Sequence, residues 1–377
     1  MSASSLTSRV VAEDGQLRCL IAAGGTVGHV APSLAVAEAL RERGVEVTFA
    51  GSPDRVEARL VPERGYAFDA FSVSGFPRRP GLQLLRALGR AAAAPAACLR
   101  ILDRRRPDVV LGGGGYVAGP MVLAARLKGI PAGLTEADAH LGLANRLALP
   151  FAERMFLALP VGREGAKFCV VGRPVPAASR ALPRDEARRE LGLPADGPVV
   201  LVFGGSLGAR LLNELAVDAW GDAGPAVLHL TGERDYDELH GRVSRPDYVM
   251  RPFVDHIGAA YGAADVAVAR AGGSVWELAA AGLPAVLVPG DFATGDHQAK
   301  NAEHFVDAGG AVIVRESEIA GVPGLVDELL ADGARLSRMA DAMRAAARPD
   351  AAERIAEGLV ELARRRRREV PGRAPTA

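Results

Sequence analysis

Charge imbalance, paired cysteines and long apolar runs are all missing from this 377-residue chain. Its 45 basic and 45 acidic residues cancel to a formal net charge of zero. The chain therefore lacks the basic excess that bulk nucleic-acid binding requires. Its three cysteines, Cys19, Cys98 and Cys169, form no close pair, which fits a reducing compartment and argues against a disulfide framework. No stretch approaches the ~18 consecutive apolar residues of a membrane span. Residues 1–15 have no apolar core of signal-peptide type and include Glu13 and Asp14, so they read as a loose cytoplasmic extension. No short-period repeat is visible. The Asp-x-Asp triplet Asp235-Tyr236-Asp237 follows Gly232-Glu233-Arg234 and reads as a helix start. No metal and no cofactor is expected.

What is present is an alternation. Short β-branched runs alternate with alanine- and leucine-rich stretches, the pattern of parallel sheets covered by helices. Strands are expected at 17–22, 45–50, 108–111, 131–135 and 154–157, then at 199–203, 227–230, 248–251, 265–269, 285–288 and 311–314. The length and the 49% hydrophobic content suffice for two separate cores. The proline-rich stretch from Gly172-Arg173-Pro174 to Pro183 marks a linker. The expected division is an N-terminal domain over 16–172, a linker over 173–186, a second domain over 187–350, and a C-terminal helix with a basic tail over 351–377.

Two glycine-rich turns about 180 residues apart carry the chemistry. Gly24-Gly25-Thr26-Val27-Gly28-His29 follows the first strand, and Gly204-Gly205-Ser206-Leu207-Gly208 follows the strand at 199–203. A strand, tight turn and helix start together present unpaired amides and a positive dipole end, which suits a phosphate. Pro32 reads as a first-turn residue of the helix that follows, and Gly44 as its stop. In such a first turn His29 is held neutral by the dipole and suits a general base acting on a hydroxyl, although local capping or packing explains a lone histidine too. A third turn, Gly272-Gly273-Ser274, precedes Glu277. That carboxylate either accepts two ribose hydroxyls or merely complements a helix dipole. Gln298 and Asn301 lie three apart on one expected helix face, where paired amides can grip sugar hydroxyls. Gly112 to Gly115, ahead of Tyr116, point to a close backbone approach or a mobile lip at a strand's carboxyl end.

Two segments carry mostly charge. Arg364 to Arg368 close the last helix and read as a solvated end. Between Arg78 and Arg106, leucines (84, 85, 88, 99 and 102) recur near helical spacing among arginines, and Pro95 interrupts them. Such a pattern suits either an amphipathic core helix or the surface of an anionic bilayer.

With these stretches assembled, the chain resembles the inverting glycosyltransferases of GT-B fold from about Leu17 to Glu361. Within that fold it resembles the peptidoglycan enzymes that move N-acetylglucosamine from UDP-N-acetylglucosamine onto undecaprenyl-pyrophosphoryl-N-acetylmuramoyl-pentapeptide. The residues that carry this are Gly24 to His29, Leu111 to Pro120, Gly142-Leu143-Ala144-Asn145, Gly204 to Ala209 with Asn213, His229 to Gly232, Phe253-Val254-Asp255 and Asp296-His297-Gln298 with Asn301.

The resemblance implies an α/β architecture of two Rossmann-like domains with parallel sheets facing a central cleft. It implies His29 as catalytic base, and acceptor contacts from Gly25, Thr26, Gly28, Gly114 and Tyr116. Donor contacts would come from Thr26, Val27, Gly28, Asp138, Arg173, Gly205, Ser206, Val254, Gly272, Gly273, Ser274, Glu277, Gln298 and Asn301. The implied partners are UDP-N-acetylglucosamine, the polyprenyl-pyrophosphate-linked sugar-peptide and an anionic membrane surface, with the chain peripheral on the inner face of the cell membrane. Four departures from the family pattern stand out. Val27 replaces a usual glycine. Thr135-Glu136-Ala137-Asp138 stands where His-Glu-Gln-Asn is common. Pro176 replaces an arginine, for which Arg173 is the candidate substitute. The turn before Glu277 is one residue short. A UDP-N-acetylglucosamine 2-epimerase, a transferase to another acceptor and a non-catalytic sugar-nucleotide sensor are the competing readings.

Overall fold

The computed structural model describes residues 15–73, 82–205, 208–290 and 297–369, with backbone alone for 82–92 and His297. The chain divides into two compact units. It builds the first as far as Pro174, builds the second over Val175–Pro349, and rejoins the first from Asp350.

The first unit holds seven strands: β1 (Arg18–Ala23), β2 (Glu46–Gly51), β3 (Ala67–Ala70), β4 (Val109–Gly114), β5 (Ala132–Glu136), β6 (Arg154–Leu157) and β7 (Phe168–Val170). They pair in parallel in the order β3-β2-β1-β4-β5-β6-β7. Helices α1 (Val27–Glu42), α2 (Glu57–Glu63), α3 (Leu82–Arg105), α4 (Ala118–Leu127) and α5 (Leu143–Ala148) connect them. Successive strand residues point to opposite faces. Ile21, Phe49, Leu111 and Phe156 therefore fill one core layer, and Leu20, Val110, Leu134 and Met155 the other.

The second unit begins with α6 (Arg184–Leu191) and carries six strands, β8 (Val199–Phe203), β9 (Ala226–Leu230), β10 (Tyr248–Arg251), β11 (Val266–Ala269), β12 (Ala285–Leu287) and β13 (Ala311–Ile313). These are again parallel, in the order β10-β9-β8-β11-β12-β13. Its remaining helices are α7 (Arg210–Trp220), α8 (Glu233–His240), α9 (Ile257–Ala263), α10 (Val275–Ala281), α11 (His297–Asp307), α12 (Val322–Ala331) and α13 (Gly333–Ala346).

The last helix, α14 (Ala351–Glu369), belongs to the first unit. Ile355, Leu359 and Leu362 are buried in the same layer as Ile21 and Phe49. Each such side chain contributes roughly 2 kcal/mol, so packing outweighs the exposed ion pairs at the helix end. Arg364, Arg365 and Arg368 are exposed, as expected of a solvated helix end, while Arg366 and Arg367 are partly covered. Arg365 pairs with Glu153, and Arg366 Nη1 donates to the Pro107 carbonyl at 3.0 Å. Arg367 reaches both carboxyl oxygens of Asp108, at 3.0 and 2.8 Å.

Other expectations also shift. Helix α1 starts at Val27, so Pro32 sits in its second turn rather than its first. Strand β3 was not anticipated, and the strand expected around Cys169 is β7, which lies at the other edge of the sheet and leaves Cys169 half-buried rather than buried. Pro95 does not break α3, which runs through it. In the second half of α3, Leu102 is buried and Leu99 packs against the same layer. Those two leucines belong to the core. The side chains of Leu84, Leu85, Leu88, Arg86 and Arg90 lie outside the described residues. Among the described residues no helix is long and apolar enough to cross a membrane.

Candidate functional site

In each sheet the winding reverses at one strand pair, β1 with β4 and β8 with β11. Loops leaving adjacent carboxyl ends there diverge to opposite faces and open a crevice, which is where open α/β sheets bind ligands.

At the first crevice the turn after β1 meets the glycines that end β4. A Cβ at Gly113 would strike Ser33 and Ala23, one at Gly114 the His29 ring, and one at Gly115 the Gly24 carbonyl. Gly114 and Gly115 also have φ of 107° and 77°, which disfavours any side chain. Of the two readings of this run, the close approach holds: Gly112 to Gly114 are strand residues that make room for the histidine.

His29 sits in the first turn of α1, with Nδ1 3.2 Å from Thr26 Oγ1. Burial depresses its pKa, and the nearby Arg173 guanidinium depresses it further, against smaller opposing effects of Asp138 and Glu136. The ring is therefore neutral at neutral pH. Pro32 has a role here as well. Lacking an N–H, it leaves the Gly28 carbonyl four residues earlier without its helical donor. Arg173 Nη2 donates to that carbonyl at 2.6 Å, which brings the guanidinium beside the histidine.

Two buried carboxyl groups hold these loops, and sequence reasoning missed both roles. Glu57, fully buried, accepts from Gly25 N at 2.9 Å and Ser52 N at 3.0 Å. Glu136, at the end of β5, accepts from the amides of Ala137, Asp138 and Gly142 and from Asn145 Nδ2. It shapes the loop that bears Asp138. Glu57 reaches Gly25, 32 residues earlier, so no local sequence signal marks it. Glu136 stood only within a stretch noted for its departures.

A cavity of about 900 Å³ opens over this crevice. It is lined by Gly25, Thr26, Gly28, His29, Gly114, Tyr116, Asp138 and Arg173, all singled out from the sequence, and also by Ser52, Arg55, Leu143 and Leu147. Val27 lies outside that lining and is exposed.

In the second unit, adjacent strands β8, β11 and β12 deliver Gly205, the Gly272–Ser274 turn and Pro289-Gly290 to one sheet edge. Ser206 lies outside the described residues. Glu277 is in the first turn of α10, and its Oε2 accepts from the Tyr261 hydroxyl at 2.7 Å. Gln298 Oε1 accepts from Gly290 N at 2.9 Å, which ties α11 to the end of β12. Asn301, one turn on, is buried. Val254 lines a smaller pocket of about 270 Å³ with Glu190, Arg251, Phe253 and His256.

A buried network underlies the second glycine turn. His229, on β9, places Nδ1 3.0 Å from Tyr248 Oη and Nε2 3.1 Å from Asn213 Oδ1. Asn213 Nδ2 donates to the Thr231 carbonyl and to Asp235 Oδ2, each at 2.9 Å. With both amide hydrogens committed, Oδ1 must accept, so His229 donates through Nε2 and accepts the Tyr248 hydroxyl at Nδ1. Burial pushes the His229 pKa down to about 3. The Thr231 carbonyl in turn abuts Gly208, where a Cβ would overlap it.

Two parallel-sheet, Rossmann-like units of this kind make up the architecture of the GT-B glycosyltransferases. Residues 19–157 match the glycosyltransferase family 28 N-terminal domain and residues 199–355 the family 28 C-terminal domain. The UDP-N-acetylglucosamine--N-acetylmuramyl-(pentapeptide) pyrophosphoryl-undecaprenol N-acetylglucosamine transferase of Acidithiobacillus ferrooxidans is 44% identical over 355 residues, 91% of this chain and 97% of the relative. The transferase of the same name from Halothermothrix orenii is 36% identical over 354 residues, 88% of this chain and 95% of the relative. The chain belongs to glycosyltransferase family 28. Among solved structures, Acinetobacter baumannii MurG superposes with a TM-score of 0.72 at 30% identity, covering 92% of this chain and 99% of that one. A UDP-N-acetylglucosamine 2-epimerase shares the fold alone, with a TM-score of 0.62 at 15% identity, covering 92% of this chain and 96% of that one.

Two outcomes follow from the titrations. If His29 must be neutral to act, kcat/KM falls as pH drops below the ordinary histidine value of 6.5. Arg173→Met removes a depressing charge and is expected to move that acidic limb to higher pH; a limb that stays in place would break the link. His229 stays neutral down to about 3 when folded but titrates near 6.5 when unfolded. Its contribution is full above 6.5 and is lost progressively as pH falls towards 3, a total on the order of 5 kcal/mol. Urea titrations between pH 7 and 4 should show this loss, and His229→Phe should flatten the pH dependence.

Proposed function

We propose that this chain transfers N-acetylglucosamine from UDP-N-acetylglucosamine to the 4-hydroxyl of the N-acetylmuramoyl unit of undecaprenyl-pyrophosphoryl-N-acetylmuramoyl-pentapeptide, converting lipid I to lipid II. The observation that carries this reading is the breadth of the likeness. Relatives named for this transfer are 44% and 36% identical across 91% and 88% of the chain.

The chemistry is a single displacement with inversion at the anomeric carbon. His29 takes the proton of the attacking hydroxyl. In the tautomer suited to that step, Nδ1–H donates to Thr26 Oγ1 and the Nε2 lone pair receives the proton. As the glycosidic bond breaks, negative charge grows on the departing UDP. Amides of the Gly205 and Gly272–Ser274 turns, with Ser206, are the proposed donors to it. Glu277 is assigned to the ribose, the Val254 backbone to the uracil, and Gln298 with Asn301 to the sugar. The hydrogen bonds from Tyr261 to Glu277 and from Gly290 to Gln298 support these assignments, because they fix each side chain before a ligand arrives. Asp138 and Arg173 flank the base, and Gly25, Thr26, Gly28, Gly114 and Tyr116 border the acceptor.

Two measurements test the proposal. Labelled N-acetylglucosamine should pass from UDP-N-acetylglucosamine to a lipid I analogue, and His29→Ala should cut kcat by at least about a hundredfold, as removal of a general base does. Donor binding, read by calorimetry, should remain. Turnover of the donor without acceptor would instead indicate an epimerase, and unchanged kcat would remove His29 from its role.

Because the proposed acceptor is lipid-linked, we propose that the chain works as a peripheral protein on the cytoplasmic face of the cell membrane. The arginines and leucines of 78–90 support this with charge and apolar area together. The chain should co-sediment with vesicles containing anionic lipid and much less with neutral ones. Arg86→Glu with Arg90→Glu should abolish the difference; equal sedimentation of variant and parent would exclude that segment.

A further inference from the structure

The first glycine turn presents fewer amides to an anion than its sequence suggests. Gly25 N–H is committed to Glu57 Oε2, and Gly24 N–H points to the Gly114 carbonyl at 3.4 Å. The His29 amide bonds back to the Thr26 carbonyl at 3.1 Å. That leaves the amides of Thr26, Val27 and Gly28 at the helix start, and charge from side chains would add to them in holding a diphosphate in the cavity that His29 lines. Two guanidinium groups line that cavity, Arg173 and Arg55. Arg173 already bonds the Gly28 carbonyl and acts on the histidine.

Arg55 differs. It lies in the turn between β2 and α2, two residues before Glu57, and its side chain is exposed. The buried Glu57 also holds Ser52 N, so the turn bearing Arg55 is anchored at both ends to the carboxyl that fixes the glycine turn. Among the described residues the Arg55 guanidinium makes no hydrogen bond or ion pair with another side chain. It is thus a cation on a fixed turn, without a side-chain partner, on the wall of the cavity that His29 also lines. A guanidinium fork matches two phosphate oxygens at once.

We propose that Arg55 binds the diphosphate of the acceptor and so orients the acceptor's sugar hydroxyl toward His29. This rests on the transfer reading above and adds a substrate-binding residue to it. Glu57 then has a double duty: one carboxyl group sets both the glycine turn and the arginine that supplies the turn's missing charge.

The test is steady-state kinetics with a water-soluble, short-chain lipid I analogue, which takes membrane attraction out of the measurement. Arg55→Ala should raise KM for the acceptor about ten- to a hundredfold, the usual range for a charge-assisted contact, with kcat changed far less. KM for UDP-N-acetylglucosamine should stay within twofold, and Arg55→Lys should recover part of the loss. A rise in donor KM in place of acceptor KM would assign Arg55 to the nucleotide's diphosphate and overturn the proposal, as would no change in either. A fall in kcat with both KM values fixed would overturn it too. An unaltered thermal unfolding midpoint separates these outcomes from misfolding. Wild-type enzyme inactive on this acceptor would count against the transfer reading itself, whereas an active wild type with an indifferent Arg55→Ala would count against this inference alone.

Discussion

In a parallel sheet every strand releases its chain at the same edge, and everything functional here follows from that constraint. The carboxyl ends of β1, β4 and β5 bring together the first glycine turn, the Gly112–Gly115 run and the Glu136 loop. Those of β8, β11 and β12 do the same for Gly205, Gly272–Ser274 and Gly290. The loops are distant in sequence and adjacent in space only because the winding reverses between the paired strands. An antiparallel sheet would divide the same loops between two edges.

Bringing loops to one edge does not fix their shape, since glycine-rich segments cost more conformational entropy to order than others. The molecule offsets that cost with buried polar groups that reach across. Glu57 holds two amides, Glu136 three amides and a side-chain amide, and His229 with Asn213 ties three strand and helix ends together. A buried acceptor with its donors in place is stabilising, whereas the same acceptor deprived of them is a penalty of a few kcal/mol. Each network therefore favours one loop geometry over its neighbours. The lining around His29 is a product of this: its neutrality comes first from burial and then from an arginine that the Pro32 gap draws in.

The sequence made the strand, turn and helix units legible because their signals are local. A β-branched run, two glycines and a helical period fall within about fifteen residues, and the strands at 199–203 and 248–251 coincide with β8 and β10. Elements whose existence depends on distant partners were harder. Strand β3 is four residues long with Asp69 among them, and that aspartate is accommodated by Arg104 and Arg105 some 35 positions away. Strand β7 exists because β6 offers it an edge. His29, Tyr116 and Arg173 were found through motif and resemblance. Glu57 was not, because a glutamate opening a helix looks ordinary until the chain 32 residues earlier folds over it. The partners of the arginine run of α14 went unread for the same reason: Asp108 and Glu153 are more than 200 residues upstream, although Arg364, Arg365 and Arg368 are exposed as expected.

That last helix has a consequence for how the molecule comes into being. The layer that covers Ile21, Phe49 and Leu111 is completed by side chains around Ile355 and Leu359. A ribosome synthesises the whole of Val175–Pro349 before it can supply them. The later-made unit therefore has all of its strands to hand while the earlier-made one still waits with an apolar flank bare. Vectorial synthesis ordinarily lets N-terminal parts finish first; here the order of completion is inverted. During that interval the growing polypeptide exposes the kind of greasy surface that chaperones recognise.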